Sequence, residues 1–391
     1  MKPFKLTSAH KIVAFLVVSV LIVSAITLAV DGWSDTPKEP DSSDVGDNTD
    51  QADENKDGIK PPAEEPPADV ETPSTDNSNG TDTDIPTDTP PVEPPEEKYV
   101  STITGLEVTK SQYEAIPYGV VVDPSAPLYG ISSSDISFEF PTEDGSTRLL
   151  SYSTNDEVIW KIGTIKASRK FISNTSNFIG GIVVSYGNDD IVKYDIWDVD
   201  KIGLDLSQYS DCYYLENTLY IYTTENMITV AKNRLSTTSE QSGYKNPPFL
   251  FSEEKLSGAT AAKNVTIPFS DTNSTELYYH EETDKYLYFK SGNRRMDMLN
   301  GKNIAYTNVF ILFADATTYE KSHGTELVID TLSGGRGYYI SAGTLTEFSW
   351  TVDNSGSLVF KNLMGSTLTV NPGNSYVAYY KATCASKIKL S

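Results

Sequence analysis

Residues 31–97 cannot form a hydrophobic core, and this restricts folding to the rest of the chain. They hold 21 acidic and 3 basic side chains and 12 of the chain's 21 prolines, for a net charge of −18. Like charges repel, proline removes backbone donors, and too little apolar surface is present to offset the entropy of ordering. The stretch is therefore expected to be a disordered tether, which in polyproline form reaches on the order of 200 Å. Residues 98–391 carry only −8 of the chain's net −23.

Ahead of the tether, Ile12–Val30 is a run of 19 residues without a charge. At ~1.5 Å per residue, a helix of this length approaches the ~30 Å thickness of bilayer hydrocarbon. Lys2, Lys5 and Lys11 precede it, and Asp31 and Asp35 follow. This asymmetry predicts a single-pass anchor in the cell membrane, with the N-terminus cytoplasmic and the globular part extracytoplasmic. A cleaved signal peptide is the alternative, with Thr27-Leu28-Ala29 as its best small-residue site. No Cys follows the run, which excludes a lipid attached there. An acidic chain without a basic patch also argues against nucleic acid as a partner.

Within the tether, Asp53-Glu54-Asn55-Lys56-Asp57-Gly58 with Glu64 satisfies the spacing of a calcium loop. Pro61 and Pro62 lack the backbone N–H groups that such a loop and its exit helix use, so a solvated linker is the expected state. No metal and no cofactor is expected.

From about Tyr99 the chain becomes short β-branched and aromatic runs separated by Gly, Asn, Asp and Ser. Strands are expected at Ser137–Phe140, Val158–Ile165, Ile182–Ser185, Leu219–Tyr222, Val265–Phe269, Tyr286–Lys290, Asn308–Phe313, Leu345–Trp350, Leu358–Phe360 and Tyr376–Tyr380. The clearest helix starts at Thr224 as N-cap, with Met227, Ile228, Ala231 and Leu235 on one stripe. Weaker helical signals cover Lys166–Phe178 and Asp189–Val199. All helices fall before residue 240, so the expected fold class is α+β. Its parts are an anchor (1–30), a disordered linker (31–98), an α/β domain (99–245) and a mostly-β domain (246–391) that meet at Asn246-Pro247-Pro248.

Six stretches carry a family resemblance: SSDISFEFPTEDGSTRLL from Ser133, IGTIKASRKF from Ile162, NPPFLFSEE from Asn246, NVTIPFS from Asn264, SGGRGYY from Ser333 and NPGNSYV from Asn371. In this order, across roughly Ile103–Tyr380, they resemble the YerB-like family of bacterial lipoproteins. The resemblance implies a two-domain protein of the bacterial envelope and no established activity. The chain departs from the family pattern in several places. It has no lipid-accepting Cys, and an Arg-Ser-Ala-Arg pattern becomes Lys166-Ala167-Ser168-Arg169, which keeps charge but loses the first planar fork. Two family His positions correspond to Ser185-Tyr186-Gly187 and Asn217-Thr218-Leu219-Tyr220. If those His serve chemistry in relatives, this copy has lost it.

By chemistry alone, the strongest polar constellation is Asp123, Glu139, Glu143, Arg148, Lys166 and Arg169. Its carboxylates suit a general acid and base, and Arg148 with Lys166 suits an anionic ligand. The same residues are also what buried ion pairs in a structural core, or a non-catalytic pocket, would use. Ser252-Glu253-Glu254-Lys255 fits a Ser-x-x-Lys pattern, but its Ser-Asp-Asn and Lys-Thr-Gly companions are missing. His10, His280 and His323 lie too far apart in sequence for a zinc set. Ser333-Gly334-Gly335-Arg336-Gly337 reads as a hairpin turn rather than a phosphate cradle, because no helix follows it. Cys212 and Cys384 could form a disulfide between the halves. In paired tyrosines such as Tyr213-Tyr214, Tyr278-Tyr279, Tyr338-Tyr339 and Tyr379-Tyr380, one ring is expected in the core and the other in solvent.

Two function classes follow. One is a membrane-anchored binding or scaffolding module that contacts a cell-wall polymer or envelope protein. The other is an envelope hydrolase or transferase using Asp123, Glu139 and Glu143, which requires those carboxylates to converge in an open cleft.

Overall fold

The computed structural model describes residues 97–154, 159–187, 203–217, 220–234, 247–258, 260–321 and 324–391. The apolar run, the tether with its calcium-like loop, and the Asp189–Val199 helix candidate lie outside these residues. Among the described residues no helix is long and apolar enough to cross a membrane.

A mixed α/β architecture dominated by strands results, organised on an 11-stranded sheet. From one edge its order is Thr260–Ala261, Thr344–Val352, Gly335–Ser341, Asn308–Ala314, Ser375–Lys381, Ile136–Pro141, Thr147–Ser153, Tyr118–Val122, Ile182–Ser185 and Gly203–Asp205. Leu358–Asn362 pairs additionally with Thr344–Val352. The sheet continues across residue 246: Ser375–Lys381, near the C-terminus, lies between Asn308–Ala314 and Ile136–Pro141 and runs parallel to both. A smaller six-stranded sheet holds Asn264–Pro268, Ser274–His280 and Lys285–Lys290 at its centre.

The core forms on both faces of the large sheet, as the period-2 side-chain alternation of its strands requires. Tyr376, Ala378 and Tyr380 join Val309 and Ile311 in one cluster, with Val265, Leu277 and Tyr288 of the smaller sheet. Val377 and Tyr379 join Phe138, Phe140, Phe310 and Trp350 in the other. This corrects the expected core-and-solvent split for the Tyr379-Tyr380 pair. Tyr379 and Tyr380 are both buried, at 0% and 3% exposure, because a central strand covered on both faces has no solvent side.

The helix at Glu225–Arg234 forms as expected: Met227 N donates to Thr224 Oγ1 at 3.1 Å, and Ile228 and Ala231 are buried. The Lys166–Phe178 signal resolves instead into two short helices, Lys170–Ser173 and Thr175–Ile179. Lys166 N is taken by Val121 O, which holds the preceding residues extended. Thr175 Oγ1 and Ser176 Oγ then bond back to Ile172 O and Ser173 O. Such side-chain competition for backbone groups disfavours a longer helix.

The Gly-rich segment is neither a cradle nor a simple hairpin turn. Leu332 N and Ser333 N donate to Asp330 Oδ1 in the turn, and Gly335 already opens a strand. A Cβ on Gly335 would lie 2.2 Å from Phe313 O, a backbone atom of the neighbouring strand. Gly335→Ala is expected to cost about 1–3 kcal/mol by overpacking, read as a lower urea midpoint at an unchanged slope.

Candidate functional site

The six nominated residues do not meet at one point. Lys166 Nζ lies 3.4 Å from Asp123 Oδ2, and Arg169 Nη2 donates to Glu143 Oε1 at 2.6 Å. Arg148 Nη1 donates to Ser146 Oγ and Thr147 O. Glu139 is elsewhere, with no exposed surface. Among the described residues no hydrogen bond or ion pair joins Asp123, Glu139 and Glu143 to one another.

Glu139 follows from its strand. In Ile136–Pro141, Phe138 and Phe140 enter one core cluster, which turns Ser137 and Glu139 to the opposite face. There Lys290 Nζ and Thr147 Oγ1 each donate to Oε1 at 2.6 Å. Thr275 Oγ1, Tyr288 OH and Tyr376 OH donate to Oε2 at 2.9, 3.1 and 2.5 Å. Burial pushes the carboxyl up, but the Lys290 charge and the hydrogen bonds outweigh it and hold Glu139 below its ordinary 4.5. Burial, then the Glu139 charge, raises Tyr288 and Tyr376 well above the usual phenol range. Four of these five partners come from beyond residue 246. Lys290 and Tyr288 carry no motif, Tyr376 lies within NPGNSYV, and only the three-dimensional register brings the three to Glu139.

A second anionic centre, Asp297, is 1% exposed. Gly130 N donates to its Oδ1 at 3.0 Å, and Ile131 N, Ser132 N and Ser132 Oγ donate to its Oδ2 at 2.8, 2.9 and 2.9 Å. Leu299 N adds a further bond at 2.9 Å. This carboxylate clasps the 128–132 loop, and sequence gave no signal for it beyond a lone Asp between two Met.

The most distinctive surface constellation surrounds Lys161. A three-stranded sheet pairs Ile162–Gly163 with Tyr220–Thr223 and the latter with Tyr214–Glu216. Its register sets Tyr222 beside Gly163 and Tyr214, and Tyr220 beside Glu216; an isolated bridge sets Tyr129 beside Gly163. Cross-strand partners share a face, so Tyr129, Lys161, Tyr214, Glu216, Tyr220 and Tyr222 all lie on one side. Gly163 opens the space: a Cβ there would lie 2.8 Å from the Tyr222 ring.

Lys161 Nζ lies 4.0 and 4.1 Å from the Tyr129 and Tyr222 ring centroids and 2.6 Å from Glu216 Oε2. Burial pushes the Lys161 ammonium down. The Glu216 bond and the neighbouring phenols more than reverse this, so it stands above its ordinary value. Tyr222 is buried, whereas Tyr129, Tyr214 and Tyr220 are half-buried and Glu216 is exposed.

Ser252 Oγ accepts from Glu254 N, and Lys255 pairs with Asp284 at 2.7 Å, so Ser252 and Lys255 have separate partners. Both cysteines are thiols: Cys212 is buried and donates to Asp211 Oδ1 at 3.7 Å, and Cys384 is half-buried. Among the described residues no group of three or more His, Cys, Asp and Glu is arranged to hold a metal.

Fold and site together define a strand-dominated α/β protein whose nominated acids are engaged by internal cations and whose tyrosines form a surface platform. The chain belongs to the family described as "Protein of unknown function (DUF3048)": the N-terminal domain model matches residues 103–245 and the C-terminal one residues 265–377. It is similar to "Putative lipoprotein YerB" of Bacillus subtilis (strain 168), 25% identical over 295 residues, covering 72% of this chain and 86% of that protein. The crystal structure of YerB protein from Bacillus subtilis superposes with a TM-score of 0.64 at 22% identity, covering 75% of this chain and 100% of that one. That likeness carries the fold.

Proposed function

We propose that this chain is a membrane-tethered, extracytoplasmic binding or scaffolding module of the bacterial cell envelope. The Ile12–Val30 run and the acidic tether support the placement. So does the relative, which is named a lipoprotein and would hold the membrane by other means. One observation carries the choice of binding over chemistry: Glu139 is fully buried and accepts five hydrogen bonds, one of them from Lys290. A hydrolase or transferase needs a carboxylate that water and substrate can reach. The tyrosine face around Lys161, by contrast, lies at the surface.

Residues 98–391 hold the described sheets and suit a pull-down with purified cell-wall material and with envelope proteins. Saturable retention of one of the two is the expected result. Absence of saturable binding to either would sink the reading.

A further inference from the structure

We infer that the tyrosine face around Lys161 is a binding site for an uncharged glycan chain. The inference rests on the binding-module reading and names its ligand. Three half-buried phenol rings, Tyr129, Tyr214 and Tyr220, share one side of a small sheet. Sugar rings with equatorial hydroxyls present flat C–H faces that stack on aromatic rings, and their hydroxyls need donors and acceptors at the rim. Glu216 and the tyrosine hydroxyls supply these.

Charge decides between ligand classes. Lys161 and Glu216 form an ion pair at 2.6 Å, so their charges cancel, while residues 98–391 carry −8. A polyanion is repelled by the chain, and a cation meets Lys161 already seated over Tyr129 and Tyr222. A neutral ligand meets neither obstacle. The rings also pack on one another. Tyr222 stands 5.4 Å from the Tyr129 ring at 83° and 5.8 Å from the Tyr214 ring at 35°, with Lys161 Nζ between Tyr129, Tyr222 and Glu216.

The test is calorimetric titration of the full-length chain with chitotetraose and with cellotetraose. Saturable binding of at least one is expected. Tyr220→Ala and Tyr129→Ala should each weaken it by about tenfold or more, while Tyr220→Phe retains most of the affinity by keeping the stacking surface. Tyr319→Ala, on an exposed tyrosine of another hairpin, should leave it unchanged. Because Tyr129 also holds Lys161, thermal unfolding of each variant is compared with the parent, and Tyr220→Ala serves as the variant with the smaller structural role. No saturation with either sugar up to about 10 mM overturns the inference, as does unaltered affinity in Tyr220→Ala and Tyr129→Ala. If the pull-down shows saturable retention while both tetrasaccharides fail, the glycan inference falls and the binding-module reading stands.

Discussion

Lys290→Met is expected to destabilise the fold by about 3–5 kcal/mol, because it leaves the Glu139 carboxylate buried without its cation. The lysine and the carboxylate are 1% and 0% exposed, so solvent cannot replace the lost partner. The double variant Glu139→Leu/Lys290→Met should recover only part of the loss: it removes both buried charges, but leaves the Thr147, Thr275, Tyr288 and Tyr376 hydroxyls without their acceptor. Urea unfolding of the single and double variants measures both effects. A single variant within 1 kcal/mol of the parent, as ordinary surface changes are, would contradict the account.

The pH dependence follows from the same group. Glu139 is held below its ordinary 4.5 in the folded state, so the unfolded chain takes up its proton first as pH falls. Its contribution to stability is therefore complete above 4.5 and is lost as pH drops through the lower folded value. In Lys290→Met, burial is opposed only by the hydroxyl hydrogen bonds and the carboxyl rises, so that loss begins at higher pH. Unfolding midpoints taken from neutrality downward should show the variant's decline starting first.

Asp297→Ala is the second large effect. It leaves the backbone N–H groups of Gly130, Ile131, Ser132 and Leu299 without their carboxylate. With buried unsatisfied donors costing about 1–3 kcal/mol each and some regaining water, a total loss of about 3–5 kcal/mol is expected. Asp297→Asn should lose less, because one acceptor oxygen remains. The clasp also fixes the chain between Leu128 and Ser132, so hydrogen exchange at Ile131 and Ser132 should accelerate in Asp297→Ala before global unfolding does. Unchanged exchange there would remove the clasp from the account.

Strand content was legible where the chain alternates or clusters β-branched residues. Ile182–Ser185 forms as expected, and Asn308–Phe313 and Tyr376–Tyr380 are extended by one residue at one or both ends. Tyr118–Val122 and Thr147–Ser153 were not anticipated. The first is interrupted by Gly119, whose bare Cα admits the Tyr152 ring, and the second places Arg148 and two Ser among its apolar positions. For the site, the Arg169–Glu143 pairing was foreseeable as an ion pair of the core. The partners of Glu139 were not, since Thr147 lies 8 positions away while Lys290 and Tyr376 lie 151 and 237 positions away.

The sequence alone determined that the chain after residue 97 folds mainly as strands and that its motifs are those of one family. These are local properties: side-chain periodicity and short ordered motifs. Tertiary structure decided which charges are sealed and which tyrosines face outward, because both depend on register between strands distant in the chain. Glu139 and Glu216 are both glutamates in strands. One is buried against Lys290 by a covering sheet, and the other is exposed beside Lys161 on an uncovered one.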